Sequence, residues 1–162
     1  MMDVANRLSD AVRSTPAHVG EAARIWRALG ALDLPDDDRS RLCRTVMDVA
    51  NRMRDADRAG EAVLAWRVAH GLNREPDGRL RIRKTMMSGA NAWTPAEDPG
   101  RRLGHALTAW RVIVELAEGD GERARVVATM NTVAGRLSDL SAYAGALRVF
   151  RAIGEVTSSP AA

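Results

Sequence analysis

Residues 46–72, VMDVANRMRDADRAGEAVLAWRVAHGL, have the pattern of two short helices joined by a tight turn. In the second helix a small residue, Ala62, is followed four positions later by a large aromatic one, Trp66. This outline occurs four times along the chain, with the two residues at Ala22 and Trp26, Ala62 and Trp66, Ala106 and Trp110, and Ala146 and Phe150. A fixed period of this length is typical of proteins built from stacked repeats. The pattern therefore predicts an all-α chain of four helical hairpins.

The spacing of the repeats alternates. Successive aromatic residues of the set are 40, 44 and 40 positions apart, so the first and third, like the second and fourth, are 84 apart. Duplication of a two-repeat unit would produce this alternation. An arginine motif, Arg-x-Arg-x-x-x-Thr, also recurs, and it begins at Arg39, Arg79 and Arg123.

Apolar residues at positions i, i+3, i+4 and i+7 predict the individual helices. The predicted ranges form four pairs: 1–11 and 19–32, 38–55 and 59–71, 78–93 and 101–117, and 122–138 and 142–156. They give repeats at about 1–34, 35–75, 76–118 and 119–156 in one domain, 1–156, followed by a disordered tail, 157–162. We expect the aromatic residues of the second helices to pack in the core between repeats, namely Trp26, Trp66, Trp110 and Phe150.

Composition and charge indicate an ordinary solvated surface. Of the 162 residues 46% are apolar, and 24 cationic residues nearly balance 21 anionic ones to give a net charge of +3. No block of like charge stands out, which favours a solvated surface over a phosphate-binding one. The single cysteine, Cys43, excludes an intramolecular disulfide and fits a reducing compartment. Because the N-terminal segment lacks a signal-peptide core and no apolar run reaches the roughly 20 residues of a membrane span, we expect a cytoplasmic protein.

The repeated residues resemble the tetratricopeptide repeat. The resemblance rests in the second repeat on Val49-Ala50, Met53, Ala62 and Trp66, and in the fourth on Asn131, Val133-Ala134, Leu137, Tyr143, Ala146 and Phe150. The period of about 42 residues is similar to that of kinesin-light-chain-like repeats, which are common in bacterial proteins. The resemblance covers roughly residues 1–156 and implies a right-handed α-α superhelix, or solenoid, with a concave binding face. The sequence departs from the tetratricopeptide pattern at one position, because the glycine expected after the first apolar core residue is alanine in every copy. HEAT or armadillo arrays have a comparable period, so the period alone does not choose between these families.

A second face of each first helix lies beside its apolar stripe, and in resembling proteins this face lines the concave groove. Asn6, Asn51 and Asn91 occupy the same place in successive repeats, and an amide can both donate to and accept from a peptide backbone. The candidate peptide-binding residues are Asn6, Arg44, Met47, Asn51, Arg54, Asp55, Lys84, Met87, Asn91 and Asn131. Two cations of this set, Arg44 and Lys84, would favour an acidic ligand. The alternative is that the asparagines cap turns or are simply solvated.

The repeated Arg-x-Arg pairs have two interpretations. Periodic guanidinium groups suit bidentate contacts with phosphates or with an acidic partner. Alternatively, the arginines form ion pairs with nearby carboxylates such as Asp36 and Glu122.

No residue pattern indicates catalysis, a metal site or a cofactor. His18, His70 and His105 are isolated in sequence, and no nucleotide-binding or nucleophile motif is present. We therefore expect a scaffold that binds a protein or peptide on its concave face without chemistry. Three other interpretations stay open. The chain could be a sensory or regulatory repeat segment of a larger bacterial signalling or transcription-regulating protein, a homo-oligomer joined through its end repeats, or an RNA-binding helical repeat with strongly salt-dependent affinity.

Overall fold

The computed structural model describes residues 19–158, and the regular secondary structure in this range is α-helical. The described residues form seven helices: α1 Val19–Ala31, α2 Asp36–Asp55, α3 Ala59–Leu72, α4 Pro76–Ala92, α5 Leu103–Leu116, α6 Asp120–Asp139 and α7 Tyr143–Ser158. The all-α prediction is confirmed, and each of these helices begins and ends within two residues of its predicted range. The helix predicted at 1–11 lies outside the described residues.

Local chemistry accounts for several helix ends. α2 begins with Asp36, Asp37 and Asp38, whose carboxylates favour the positive end of the helix dipole. α4 begins at Pro76, because a proline in the first turn of a helix forfeits only an N–H group that would have no helical partner. The predicted loop with Pro95 and Pro99 separates α4 from α5, as a residue before proline is disfavoured in helical conformation.

The α2–α3 and α6–α7 turns share one backbone geometry. Asp57 and Ser141, 84 positions apart, are the two described non-glycine residues with positive φ, at 61° and 57°. In both turns the N–H of this residue donates to the carbonyl three positions back, and the next N–H donates five positions back, over 2.7–3.0 Å. These two bonds are those of the Schellman motif, which satisfies the last carbonyls of a helix. The shared geometry agrees with the 84-residue repeat in the sequence.

The chain divides into two compact units, Met1–Lys84 and Thr85–Ala162, and the division falls inside α4. In the first unit α3 packs against both α1 and α2, and in the second unit α5, α6 and α7 pack against one another. Large side chains with almost no exposed surface form the interior of each unit: Trp26, Leu42 and Trp66 in the first, and Met86, Trp93, Leu103, Trp110, Ile113, Met130 and Leu137 in the second. The single domain expected over residues 1–156 stays a prediction.

The four repeated aromatic residues differ in their surroundings. Trp26, Trp66 and Trp110 are buried as predicted, each with 0% of its surface exposed. The expectation that Phe150 is buried is wrong, because 50% of its surface is exposed. Its small companion Ala146 is buried, so the inner side of α7 packs against the unit while its outer side does not. Phe150 is exposed because no described helix lies over that outer side.

Candidate functional site

The predicted groove residues differ in accessibility. Five of these side chains are exposed: Arg44, Asp55, Lys84, Asn91 and Asn131. Four are partly buried: Met47, Asn51, Arg54 and Met87. Asn6 lies outside the described residues. The Oδ1 atom of Asn51 is enclosed and has no hydrogen-bond donor within the described part of the chain, so it does not face solvent.

Arg54 and Asp55 interact with each other. The Nε atom of Arg54 donates to Oδ1 of Asp55 over 2.9 Å, and Nη2 of the same arginine lies 2.8 Å from that oxygen. This pair is therefore already engaged in the structure. A ligand that uses either residue has to compete with their mutual contact.

One residue of the predicted set, Asn91, lines a cleft in the second unit. We name this the α4–α6 cleft, and it is lined by Asn91, Thr94, Pro95, Ala96, Thr129, Thr132, Val133 and Arg136. Its volume is about 360 Å³, which is within the range of small-molecule and peptide side-chain sites. The cleft is formed by the end of α4, the loop that follows it and one face of α6.

Helical spacing explains how α6 contributes to this cleft. Thr129, Thr132, Val133 and Arg136 stand at positions i, i+3, i+4 and i+7, so they share one face of the helix. The opposite wall begins at Asn91, near the end of α4, and continues along the loop. There the hydroxyl of Thr94 donates to the carbonyl of a residue one turn earlier in α4 over 3.1 Å, which anchors the start of the loop.

The cleft combines hydrogen-bonding groups of different kinds. The hydroxyls of Thr129 and Thr132 each donate to a carbonyl one turn earlier over 3.0 Å, so their remaining capacity is to accept. Asn91 supplies an amide that can donate and accept, and Arg136 supplies a guanidinium that only donates. The cleft can therefore hold peptide amides and a carboxylate, and its alanine, proline and valine offer apolar contact.

Sequence reasoning missed the α6 side of this cleft. The prediction named Asn131, which is exposed but is not among the residues that line the cleft. The recurrence of asparagine does not identify this face, because the position equivalent to Asn51 and Asn91 is Gly135, 84 and 44 residues later, and Gly135 does not line the cleft either. By the same spacings, Asn131 corresponds to Met47 and Met87.

In a smaller cleft of the first unit, lining residues already form hydrogen bonds within the protein. It has a volume of about 160 Å³ and is lined by Asp36, Arg39, Ser40, Cys43, Leu72, Asn73, Arg74 and Glu75. The Cys43 thiol donates to the carbonyl of Ala69 at 3.6 Å and accepts from the Asn73 amide at 3.9 Å. Burial raises the pKa of the Cys43 thiol, although the Asn73 hydrogen bond and the charge of Arg44 act in the other direction. A raised thiol pKa disfavours the reactive thiolate, so this cysteine is suited to packing.

In two of the three copies of the Arg-x-Arg motif, the first arginine donates hydrogen bonds to carbonyls at a helix end. Arg39 donates to the carbonyls of Gly30 and Leu32, at the C-terminal end of α1, over 3.2 and 3.3 Å. Arg79 donates to the carbonyl of Asn73, the residue that follows α3, over 2.8 Å. Arginine near a helix C-terminus satisfies its last carbonyls. These hydrogen bonds give the two arginines a capping role.

Two histidines are also engaged in packing. Nη1 of Arg83 lies 2.9 Å from Nε2 of His70, and both side chains are buried. The ring of His105 meets Trp93 edge to face, with centroids 5.7 Å apart. His18 lies outside the described residues.

The described residues contain no cluster of three or more histidine, cysteine, aspartate or glutamate side chains able to hold a metal ion. Within residues 19–158 no helix is both long enough and apolar enough to cross a bilayer. No protein-family model matches the sequence, and no curated protein or solved structure shows significant similarity to it.

Proposed function

We propose that the protein is a tetratricopeptide-like helical repeat scaffold that binds a peptide segment of a partner protein in the α4–α6 cleft. The observation that supports it most is the meeting of Asn91, from α4, with the threonines and Arg136 of α6 in one cleft. The repeated hairpins and their matching Schellman turns favour the repeat class, with a right-handed superhelix as its expected assembly. The single, partly buried thiol suits a reducing cytoplasm.

An extended peptide offers alternating N–H and C=O groups at about 3.3 Å per residue. The Asn91 amide can pair with one N–H and one C=O of that backbone, which makes recognition tolerant of the ligand's sequence. Arg136 can grip a carboxylate through two parallel N–H donors, which selects a ligand with an acidic side chain or a C-terminus. Binding of this kind is reversible and involves no bond making or breaking.

The proposal predicts which peptides the protein selects. Random twelve-residue peptides displayed on phage would be selected against the immobilised full chain, and the recovered sequences compared with those from a chain carrying Arg136→Gln. We expect the full chain to enrich peptides with an acidic residue and the variant to lose that enrichment. Failure to enrich any peptide, or identical enrichment by both chains, would contradict the proposal.

A second experiment, a binding titration, separates peptide binding from RNA binding. A fluorescent single-stranded RNA of 12 nucleotides would be titrated beside the selected peptide at several salt concentrations. We expect the peptide to bind with a shallow salt dependence, since one or two charges are involved. Tight RNA binding with a steep fall in affinity as salt rises would instead favour a phosphate-binding surface.

A further inference from the structure

The outer face of α7 carries large apolar side chains that remain exposed. Tyr143, Leu147 and Phe150 are 67%, 60% and 50% exposed, and Gly154 continues the same line along the helix. The spacing of four, three and four positions places these residues on one stripe, as at the seam between two packed helices. A contiguous apolar stripe of this kind marks a site of interaction with another protein.

The equivalent stripe is covered in the other second helices. In α5, the residues 40 positions earlier are Leu103, Leu107, Trp110 and Val114, and none is more than 7% exposed. In α3, the residues 84 positions earlier are Ala59, Val63, Trp66 and His70, and none is more than 9% exposed. The same helical position is therefore built to be buried, and α7 differs only in lacking a cover among the described residues.

The chain itself shows the chemistry of a suitable cover. Both helices of the following hairpin, α6 and α7, pack against α5. The buried stripe of the first of these helices is aliphatic with one methionine, and it consists of Val126, Met130, Val133, Ala134 and Leu137. An amphipathic helix with such a stripe is therefore the complement that this class of surface accepts.

Within residues 19–158, charge and burial argue against a second copy of this chain as the occupant. In the folded chain the stripes of α2 and α6 are already buried, so these helices cannot be offered to a neighbour. Pairing α7 with α7 would bring Arg148 and Arg151, which are exposed beside the stripe, close to the same cations of the other copy. Like charges at such an interface are destabilising. Acidic residues beside the stripe of a different helix would instead attract them.

We propose that the outer face of α7 binds an amphipathic helix of another polypeptide, one with an aliphatic stripe flanked by acidic side chains. This surface does not include any residue of the α4–α6 cleft. A test of one proposal therefore leaves the other untouched. The protein would then hold two partners, or two parts of one partner, at different places.

A fluorescein-labelled synthetic peptide with the sequence of residues 120–139 and the changes Arg123→Glu, Arg125→Glu and Arg136→Glu serves as the probe. In the structure this helix packs against α5, and the three changes give the peptide the acidic flanks that the proposal requires. Its fluorescence anisotropy would be measured against the full chain and against a Leu147→Gln/Phe150→Gln double variant. We expect saturable binding to the full chain and at least a tenfold weaker affinity for the double variant. The matched control is Leu32→Gln, an equally neutral change at an apolar residue that is 45% exposed between α1 and α2, and it should bind like the unaltered chain.

Two results would overturn this proposal. One is a lack of saturable binding, or equal affinity of the unaltered chain and the double variant at equal thermal stability. The other comes from light scattering after gel filtration: a dimer of the full chain that the double variant dissociates would assign the face to a second copy. We expect a monomer in both cases.

Discussion

Arg39, on α2, donates through Nη1 to the carbonyl oxygen of Gly30, near the end of α1, over 3.2 Å. Its Nη2 atom donates to the carbonyl of Leu32, so a single side chain satisfies two carbonyls at one helix end. A guanidinium placed there also complements the negative end of the helix dipole. The arginine motif therefore ties the first helix of a hairpin to the helix that precedes it.

Replacing Arg39 with methionine should remove this cap while keeping most of the buried stem. We expect Arg39→Met to lower the free energy of unfolding by about 1.5–3 kcal/mol, the range for a hydrogen bond to a charged group. Urea denaturation followed by circular dichroism measures this. The control is Arg41→Met, an exposed position in the same motif, which should change stability by about 0.5 kcal/mol or less. Equal losses from both variants would argue against capping.

Ser141 adopts a left-handed conformation in the α6–α7 turn, with φ at 57°. Glycine adopts this conformation without the steric cost that a side chain imposes. We therefore expect Ser141→Gly to raise the midpoint of thermal unfolding, with a gain of about 0.5–1 kcal/mol. The same substitution at Ser88, exposed inside α4, should instead destabilise the protein, because glycine weakens a helix. A loss of stability at position 141 would contradict the turn geometry.

Trp66 and Phe150 stand at equivalent repeat positions but differ in burial. We expect Trp66→Ala to cost about 3–5 kcal/mol, the usual range for truncating a buried aromatic residue. Phe150→Ala should cost about 1 kcal/mol or less, because half of that ring is already in water. Guanidinium denaturation of both variants tests the contrast. Similar losses would mean that Phe150 is covered in solution.

Cys43 should react slowly with thiol reagents. Only the thiolate attacks such reagents, and the raised pKa of the buried thiol leaves less thiolate at a given pH. At pH 8 we expect the reaction with Ellman's reagent to be slower than that of free cysteine, and to accelerate as pH rises. Unfolding in urea should restore the ordinary rate. A rate in the folded chain equal to that of free cysteine would contradict the burial of this side chain.

The helices could be predicted from the sequence because several signals agree on each of them. The apolar period, the proline breaks and the 84-residue repeat all indicate the same ranges. Each predicted range within residues 19–158 therefore agrees with the structure within two residues. Whether a particular stripe is covered is a different question. The pair Ala146 and Phe150 has the same pattern as Ala62 and Trp66, yet only neighbouring helices decide whether the aromatic residue meets water.

The direction of Arg39 and the walls of the cleft depend on tertiary contacts. From the sequence, an arginine beside an apolar stripe is expected to face solvent. The Arg39 side chain instead contacts the end of α1, because a backbone carbonyl there lies within hydrogen-bond distance. The cleft joins Asn91 to Arg136, which are 45 positions apart in the sequence. Asn91 could be identified by its recurrence in the repeats. Arg136 has no counterpart in the recurring asparagine set, so only the structure, in which Arg136 lines the same cleft as Asn91, reveals it.

The most direct test of the peptide-binding account is calorimetric titration of a phage-selected acidic peptide into three forms of the full chain. These are the unaltered protein, the Asn91→Ala/Arg136→Gln double variant, and Arg101→Gln, which removes an exposed cation of the same unit that does not line the cleft. We predict that the double variant binds at least tenfold more weakly at unchanged thermal stability, while Arg101→Gln binds like the unaltered chain. Equal affinity of all three forms would contradict the assignment of the α4–α6 cleft as the binding site.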